Sequence, residues 1–173
     1  IDCSVGFILF DPQTTLDELA ENVAWLRVLP TFPQSLTGLS ILRGTPLESH
    51  FREKQLLNEG HLHLHVPPQE PAIRSFEVAL RRYAPLYWPV TSHLIAAEMR
   101  LLTQFGLDAN LEARTHEWRR ELRELHLYFL DEAIRQLRRK DDDSLDTLLR
   151  DMESAFQVFT ERARRQLTGV IEL

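Results

Sequence analysis

The amino-acid sequence predicts an α/β segment followed by a mostly helical region. Three observations lead to this fold class. A strand, a helix and a second strand succeed one another within residues 1–42, a Gly-Thr-Pro turn follows, and helical periodicity dominates the remainder. Strands joined in this way lie parallel with a right-handed crossover. Because two strands are too few for a stable sheet, we expect this βαβ unit to belong to a larger parallel sheet.

Residues 1–10 have the pattern of a strand buried on both faces. Their second half, GFILF, is entirely apolar apart from its glycine, which is typical of a parallel sheet. Pro12 ends the strand, because proline has no N–H for the ladder. Thr15 and Glu18 then form a capping box, which predicts a helix over residues 15–29. Its apolar residues recur at helical spacing: Leu16, Leu19, Ala20, Val23 and Leu26.

The second strand is predicted over residues 35–42. A helix follows over residues 46–58, with Pro46 at its start and Gly60 as its stop. Strict alternation predicts an extended segment over residues 61–66. Four helices complete the chain, over residues 71–83, 91–104, 109–140 and 144–167. We therefore divide the chain into an α/β part, residues 1–66, and a helical C-terminal extension, residues 67–173.

Composition bounds the class of protein. The chain has 173 residues, 43% hydrophobic and 27% charged, with a net charge of −6, which predicts a soluble globular protein and argues against a dedicated nucleic-acid binder. The sequence has no run of about 20 apolar residues such as a membrane span needs. Its one cysteine, Cys3, cannot form an internal disulfide, so we expect a cytoplasmic protein. Because the chain begins at Ile1 in an apolar run, we expect a piece of a longer protein.

Two motifs carry a resemblance to a known family. The fifth barrel strand of radical S-adenosylmethionine (SAM) enzymes typically reads Gly-Phe-Ile-x-Gly-x-Pro-x-x-Thr, and their sixth strand ends in a Gly-Thr turn. This chain matches these patterns at Gly6, Phe7, Ile8, Pro12, Thr15, Gly44 and Thr45. It departs from them at Phe10, in place of the second glycine, and at Thr14, in place of the usual Glu. Over residues 1–66 it resembles the end of a partial (β/α)6 barrel, most closely in the branch with an N-terminal cobalamin-binding domain.

The resemblance implies a set of cofactor-binding residues: Gly6, Phe7, Ile8, Phe10, Asp11, Leu42 and Arg43. Gly6 and Ile8 would hold the adenine of SAM, and Leu42 and Arg43 would lie near the adenosine or the substrate. Phe10, Asp11 and Arg43 leave the carboxyl ends of the strands, where ligands of parallel barrels bind. The alternative is structural: Gly6 relieves crowding, Phe10 belongs to the core and Arg43 pairs with a surface acid.

The family also needs a loop that this chain lacks. A Cys-x-x-x-Cys-x-x-Cys loop holds a four-iron, four-sulfur cluster, and Cys3 alone cannot supply its thiolates. The resemblance therefore implies an enzyme only for the parent protein, with SAM, the iron–sulfur cluster and cobalamin as its cofactors. This chain alone would bind none of them and would be inactive, with no catalytic residue of its own.

The expected partners are the remainder of the barrel, the N-terminal domain and a small-molecule or peptide substrate, with no nucleic acid or membrane. The helical extension would cover the substrate side of the barrel. A non-catalytic helical interaction or scaffold module is the alternative function, since it explains the missing cluster loop without a longer parent.

Three features outside the motifs also bear on function. His61, His63 and His65 share one face of an extended segment, yet the outer two are about 13 Å apart, so at most two could share a metal, with His50 as a further ligand. A solvent-facing strand or a pocket wall is the favoured alternative. Tyr83, Tyr87 and Trp88 could line a pocket or pack between helices. The long helix predicts a solvated Arg/Glu face and an apolar stripe at Leu122, Leu125, Phe129, Ala133 and Leu137.

Overall fold

The computed structural model describes residues 6–29, 35–59, 64–105, 109–140 and 142–171. Its contacts divide the chain into two compact units, residues 1–78 (unit 1) and 79–173 (unit 2). The elements are β1 (Gly6–Phe10), α1 (Leu16–Val28), β2 (Ser35–Gly38), α2 (Pro46–Glu53), β3 (Asn58–Glu59), β4 (Leu64–His65), α3 (Pro71–Phe105), α4 (Ala109–Arg139) and α5 (Asp142–Ile171).

The predicted fold class is confirmed at a coarse level. The chain starts with a short parallel sheet of β1 and β2 and continues mostly as helices. In the described ranges the strands form two separate two-stranded sheets and no closed barrel. The predicted boundary between residues 66 and 67 stays a prediction. None of the helices in those ranges combines the length and the apolar character that crossing a membrane requires.

β1 and β2 pair in parallel with one irregularity. Ile8 pairs with Thr37 and Phe10 with Gly38, so Leu9 is an extra residue on β1. Such a bulge interrupts the alternation of side chains between the two faces. As a result Leu9 and Phe10 are both buried, at 0% and 4% exposure, whereas Ile8 is 54% exposed. The prediction of a strand buried on both faces is therefore wrong at Ile8.

α1 packs on this pair as its sequence predicts. The hydroxyl of Thr15 accepts from the Glu18 N–H, and the Glu18 carboxylate accepts from the Thr15 N–H at 2.7 Å, which completes the capping box. The Asn22 amide donates to the Leu9 carbonyl at 2.9 Å and so ties the middle of the helix to β1. Leu19, Val23 and Leu26 form its buried stripe.

The helix after the Gly-Thr-Pro turn is shorter than predicted. α2 ends at Glu53 instead of reaching Asn58, which lies in β3. Gln55 has a left-handed backbone, with φ of 55°, and stops the helix in the role that we predicted for Gly60, which lies outside the described residues. The segment then turns back because a small apolar cluster forms there, of Ile41, Phe51, Leu64 and Val66.

α3 is one helix of 35 residues where the sequence predicts two. Pro85 and Pro89 lie inside it, and each removes one backbone hydrogen bond. The helix continues because Tyr83 and Tyr87 are buried, at 0% and 4% exposure, and stacking of Tyr83 on Phe129 of α4 holds this stretch in unit 2. Tertiary packing here overrides the local preference against proline.

α4 and α5 complete unit 2. The predicted apolar stripe of α4 is confirmed at its buried members Leu122, Phe129, Ala133 and Leu137, whereas Leu125 is half-buried. Lys140 ends α4 with a left-handed φ of 56°. α5 buries its own stripe, which includes Leu148, Met152, Phe156 and Phe159.

Substitution of Gly38 by alanine should destabilise unit 1. A Cβ at this position would lie 2.7 Å from Cε2 of Phe10, and overpacking of this kind costs about 1–3 kcal/mol. Chemical denaturation measures the loss. The exposed Ser40→Ala is the matched control and should change the free energy of unfolding by less than about 0.5 kcal/mol. Equal stability of the two variants would show that Phe10 moves aside freely.

Candidate functional site

The carboxyl ends of β1 and β2 lie at one edge of the parallel pair, and the loops that follow them carry most of the predicted site residues. The ladder continues past β2, since the Leu39 N–H donates to the Phe10 carbonyl at 2.9 Å. Next to this edge, Ile8 and its partner Thr37 are exposed on the same face of the pair. This open face presents an apolar side chain beside the loops, as a flat apolar ligand would need.

Asp11 organises the turn after β1. Its carboxylate accepts from the Gln13 N–H at 2.7 Å and from the Thr14 hydroxyl at 3.1 Å, while its own N–H donates to Thr14. Two residues just before α3 also form hydrogen bonds with this turn and with the start of α1. The Gln69 N–H donates to the Pro12 carbonyl at 2.8 Å, and the Glu70 carboxylate accepts from the Leu16 N–H at 3.1 Å. Contact of Asp11 with a ligand stays a prediction.

The aromatic members of the predicted site have structural contacts. Phe7 stacks on Trp25 of α1, with ring centroids 5.2 Å apart. Phe10 meets Phe76 of α3 edge-on at 5.9 Å, in agreement with the alternative that places it in the core. Gly6 opens β1 opposite Ser35. The cofactor role of these residues stays a prediction.

Leu42 and Arg43 lie just before the Gly-Thr-Pro turn, and both are exposed. The turn is built from its own side chains: the Thr45 hydroxyl donates to the Leu42 carbonyl at 2.7 Å, and the Gly44 N–H donates to the Glu48 carboxylate at 2.6 Å. Gly44 is required there because its φ is +79°. The structure thus holds Leu42 and Arg43 at the entrance to α2.

The Glu48 carboxylate is surrounded by positively charged groups and N–H donors of this turn. Hydrogen bonds from Arg52 and from the Gly44 N–H lower its pKa, and the charges of Arg52 and Arg43 lower it further. The charge of Arg43 therefore adds a minor contribution at Glu48, and the pairing of Arg43 with a surface acid stays a prediction. Its predicted contact with adenosine or substrate remains a prediction.

His65 forms a carboxylate pair that the sequence did not reveal. Its Nε2 lies 2.7 Å from Oε1 of Glu77 on α3, and the two side chains are 37% and 16% exposed. The bridge between Ile41 and Leu64 places this pair next to the segment that carries Leu42. A carboxylate that holds one ring nitrogen orients an imidazole for proton transfer or metal ligation.

The predicted histidine face falls only partly within the structure. His61, His63 and Cys3 lie outside the described residues. Within the described ranges, no group of three His, Cys, Asp or Glu side chains is placed to hold a metal ion. His65 is held by Glu77, and the ring of His50 meets Phe51 edge-on at 5.2 Å.

A second histidine pair lies in the core of unit 2. The Tyr83 hydroxyl is 2.7 Å from Nδ1 of His126, and both side chains are buried. Aromatic rings surround the imidazole, with Tyr87 edge-on at 4.7 Å and Phe156 at 6.0 Å. Burial lowers the pKa of His126 from 6.5 to about 3, so the imidazole is neutral at physiological pH. Tyr83 and Tyr87 thus pack between helices, and Trp88 is 55% exposed.

Comparisons with known proteins add no relative. No family model, no curated protein and no solved structure matches the chain.

The buried His126 should make the protein less stable in acid. In the unfolded chain the imidazole takes up a proton near pH 6.5, whereas the folded protein resists it until about pH 3. The unfolded state therefore binds more protons within this window, and this contribution falls by about 1.4 kcal/mol for each pH unit below 6.5. Above pH 6.5 it is fully present.

Denaturation at a series of pH values, compared with His126→Gln, measures this slope. The glutamine amide can still bond to Tyr83 but does not titrate, so its slope should be shallower between about pH 6 and pH 4. A proton NMR titration of the native protein gives a second readout, in which the His126 signal should stay constant over this range. Parallel slopes, or an imidazole that titrates near pH 6, would contradict the assignment.

Proposed function

We propose that this chain is the end of the barrel of a radical SAM enzyme of the cobalamin-linked branch, followed by a helical extension. The observation that supports this best is the open face of the β1–β2 pair. Ile8, the residue that the motif assigns to the adenine, is 54% exposed within a parallel pair whose neighbouring side chains Leu9 and Phe10 are buried. An isoleucine in that position suits the flat face of a purine.

The turns at the carboxyl edge support the same proposal. Hydrogen bonds of Asp11 hold the loop after β1, and those of Thr45 and Glu48 hold the loop after β2. Loops in this position carry the ligand contacts of parallel barrels. Leu42 and Arg43 would then contact the adenosine or the substrate, which is a small molecule or a peptide.

The residues present fit only part of the cofactor set. Ile8 offers an apolar surface for the adenine of SAM, but a chain with one cysteine cannot hold the four-iron cluster. The thiolates would come from an earlier part of the barrel in the parent protein, which would also carry the cobalamin domain. When bound, cluster and SAM supply a 5′-deoxyadenosyl radical. The part of this chain is to bind and orient SAM and to cover the substrate.

The proposal predicts cofactor chemistry in the full-length protein. After anaerobic reconstitution with iron and sulfide, the protein should show the absorption of a four-iron cluster and should form 5′-deoxyadenosine from SAM under reducing conditions. Mass spectrometry measures the product. A full-length protein that shows neither signal would instead support a non-catalytic helical module.

Ile8→Ser should weaken SAM binding by about tenfold, because an apolar surface is removed from beneath the adenine. Equilibrium dialysis of the reconstituted full-length protein with labelled SAM measures the affinity. Val78→Ser is the matched control, since Val78 is exposed to a similar extent, 57% against 54%, but belongs to no predicted site. It should leave the affinity unchanged, and an equal loss in both variants would remove Ile8 from the site.

A further inference from the structure

A groove in unit 2 runs between α3 and α5. Its volume is about 360 Å³, and its apolar surface comes from Leu86 and Val90 on α3 and from Phe156 on α5. The Phe156 ring also contacts the buried rings of Tyr83 and His126. The floor of the groove is therefore the outer surface of the aromatic core, and it is formed before any ligand binds.

Two carboxylates lie at positions along this groove that are eight residues apart on α5, Glu153 and Glu161. Since α-helices rise about 1.5 Å per residue, the two positions are separated by about 12 Å along the axis. Phe156 and Gln157 lie between them on the same face of α5, at helical spacing. The result is an open groove with a partly apolar lining and a carboxylate towards each end.

An exposed ion pair brings positive charge to the edge of this lining. None of the described side chains that line the groove is cationic. Outside it, Nε of Arg165 donates to Glu161 at 3.0 Å, with the two side chains 77% and 54% exposed. An ion pair this exposed contributes little, so another cation can replace it.

The prolines of α3 leave one backbone carbonyl of that helix without its usual donor. Pro85 lines the groove, and its carbonyl lacks its helical donor because the residue four positions later, Pro89, has no N–H. An ammonium group, which has only donors, fits the carboxylate oxygens of this lining. An anionic ligand would meet two negative charges instead.

We propose that this groove binds a linear aliphatic polyamine. One ammonium group would lie on Glu153, another on Glu161, and the methylene chain between them would cover Phe156, Leu86 and Val90. This occupant is inferred from charge complementarity along the groove. The end ammonium groups of a polyamine match the two carboxylates, its methylene groups match the apolar lining, and an internal secondary ammonium can donate to the side-chain oxygens of Gln157 and Thr160 between them. The net charge of −6 favours its approach. The proposal does not depend on the function proposed for unit 1.

Calorimetric titration of the chain with spermidine tests the proposal. Glu153→Gln and Glu161→Gln should each weaken binding by about fivefold to tenfold, and the double variant should weaken it further. Asp151→Asn is the matched control, because Asp151 is exposed on the same helix but does not line the groove. It should leave the affinity unchanged. Added salt should also weaken binding.

Two further variants test the groove independently. Gln157→Lys places an internal ammonium in the groove and should abolish binding, whereas Arg165→Gln releases Glu161 and should strengthen it. Absence of spermidine binding, or a double Glu variant that binds as tightly as the native chain, would overturn the proposal. A neutral diol that binds equally well would do the same, as would an arginine-containing peptide that binds where spermidine does not.

Discussion

Phe10 crosses β2 at Gly38, where that strand has no side chain, and the rest of unit 1 depends on this contact. A Cβ at Gly38 would lie 2.7 Å from the Phe10 ring. The same ring meets Phe76 of α3 edge-on. Two short parallel strands have too few hydrogen bonds to persist by themselves. One aromatic side chain therefore joins both strands to the first turns of α3.

The bulge that brings Phe10 inward is also what leaves Ile8 outside. With Leu9 as the extra residue, Leu9 and Phe10 are both buried, and the preceding side chain faces away from the core. The bulge thus explains both the exposed face of the strand pair and the burial of Leu9 and Phe10. In the function that we propose, the purine binds on this open face. The bulge at Leu9 would then determine both the packing of Phe10 and the place where the ligand lies.

Local chemistry decided which parts of the fold the sequence could predict. The capping box of Thr15 and the helix start at Pro46 were predicted because their hydrogen bonds link residues within one turn. The continuity of α3 through Pro85 and Pro89 was not, because it depends on tyrosines that pack against another helix. The bulge at Leu9 also has no signature in an apolar run.

The same distinction holds for the candidate site. Gly44 was recognised from the motif and Asp11 from its place at the end of a strand, and the structure shows how hydrogen bonds and backbone conformation hold each turn. The partners of His65 and His126 were missed, since Glu77 and Tyr83 lie 12 and 43 residues away along the chain. A spacing pattern identifies residues that share an element. It does not identify which distant side chain that element will meet.

The two histidine pairs differ in how far their imidazoles are buried. His126 is enclosed by aromatic rings, and its pKa of about 3 keeps the imidazole neutral, so it serves unit 2 as a fixed hydrogen-bond partner. His65 is 37% exposed and is oriented by a carboxylate, which is the arrangement that general acid–base chemistry uses. It also belongs to the unit that carries the carboxyl edge of β1 and β2. Of these two imidazoles, the one in unit 1 is both partly exposed and held by a carboxylate.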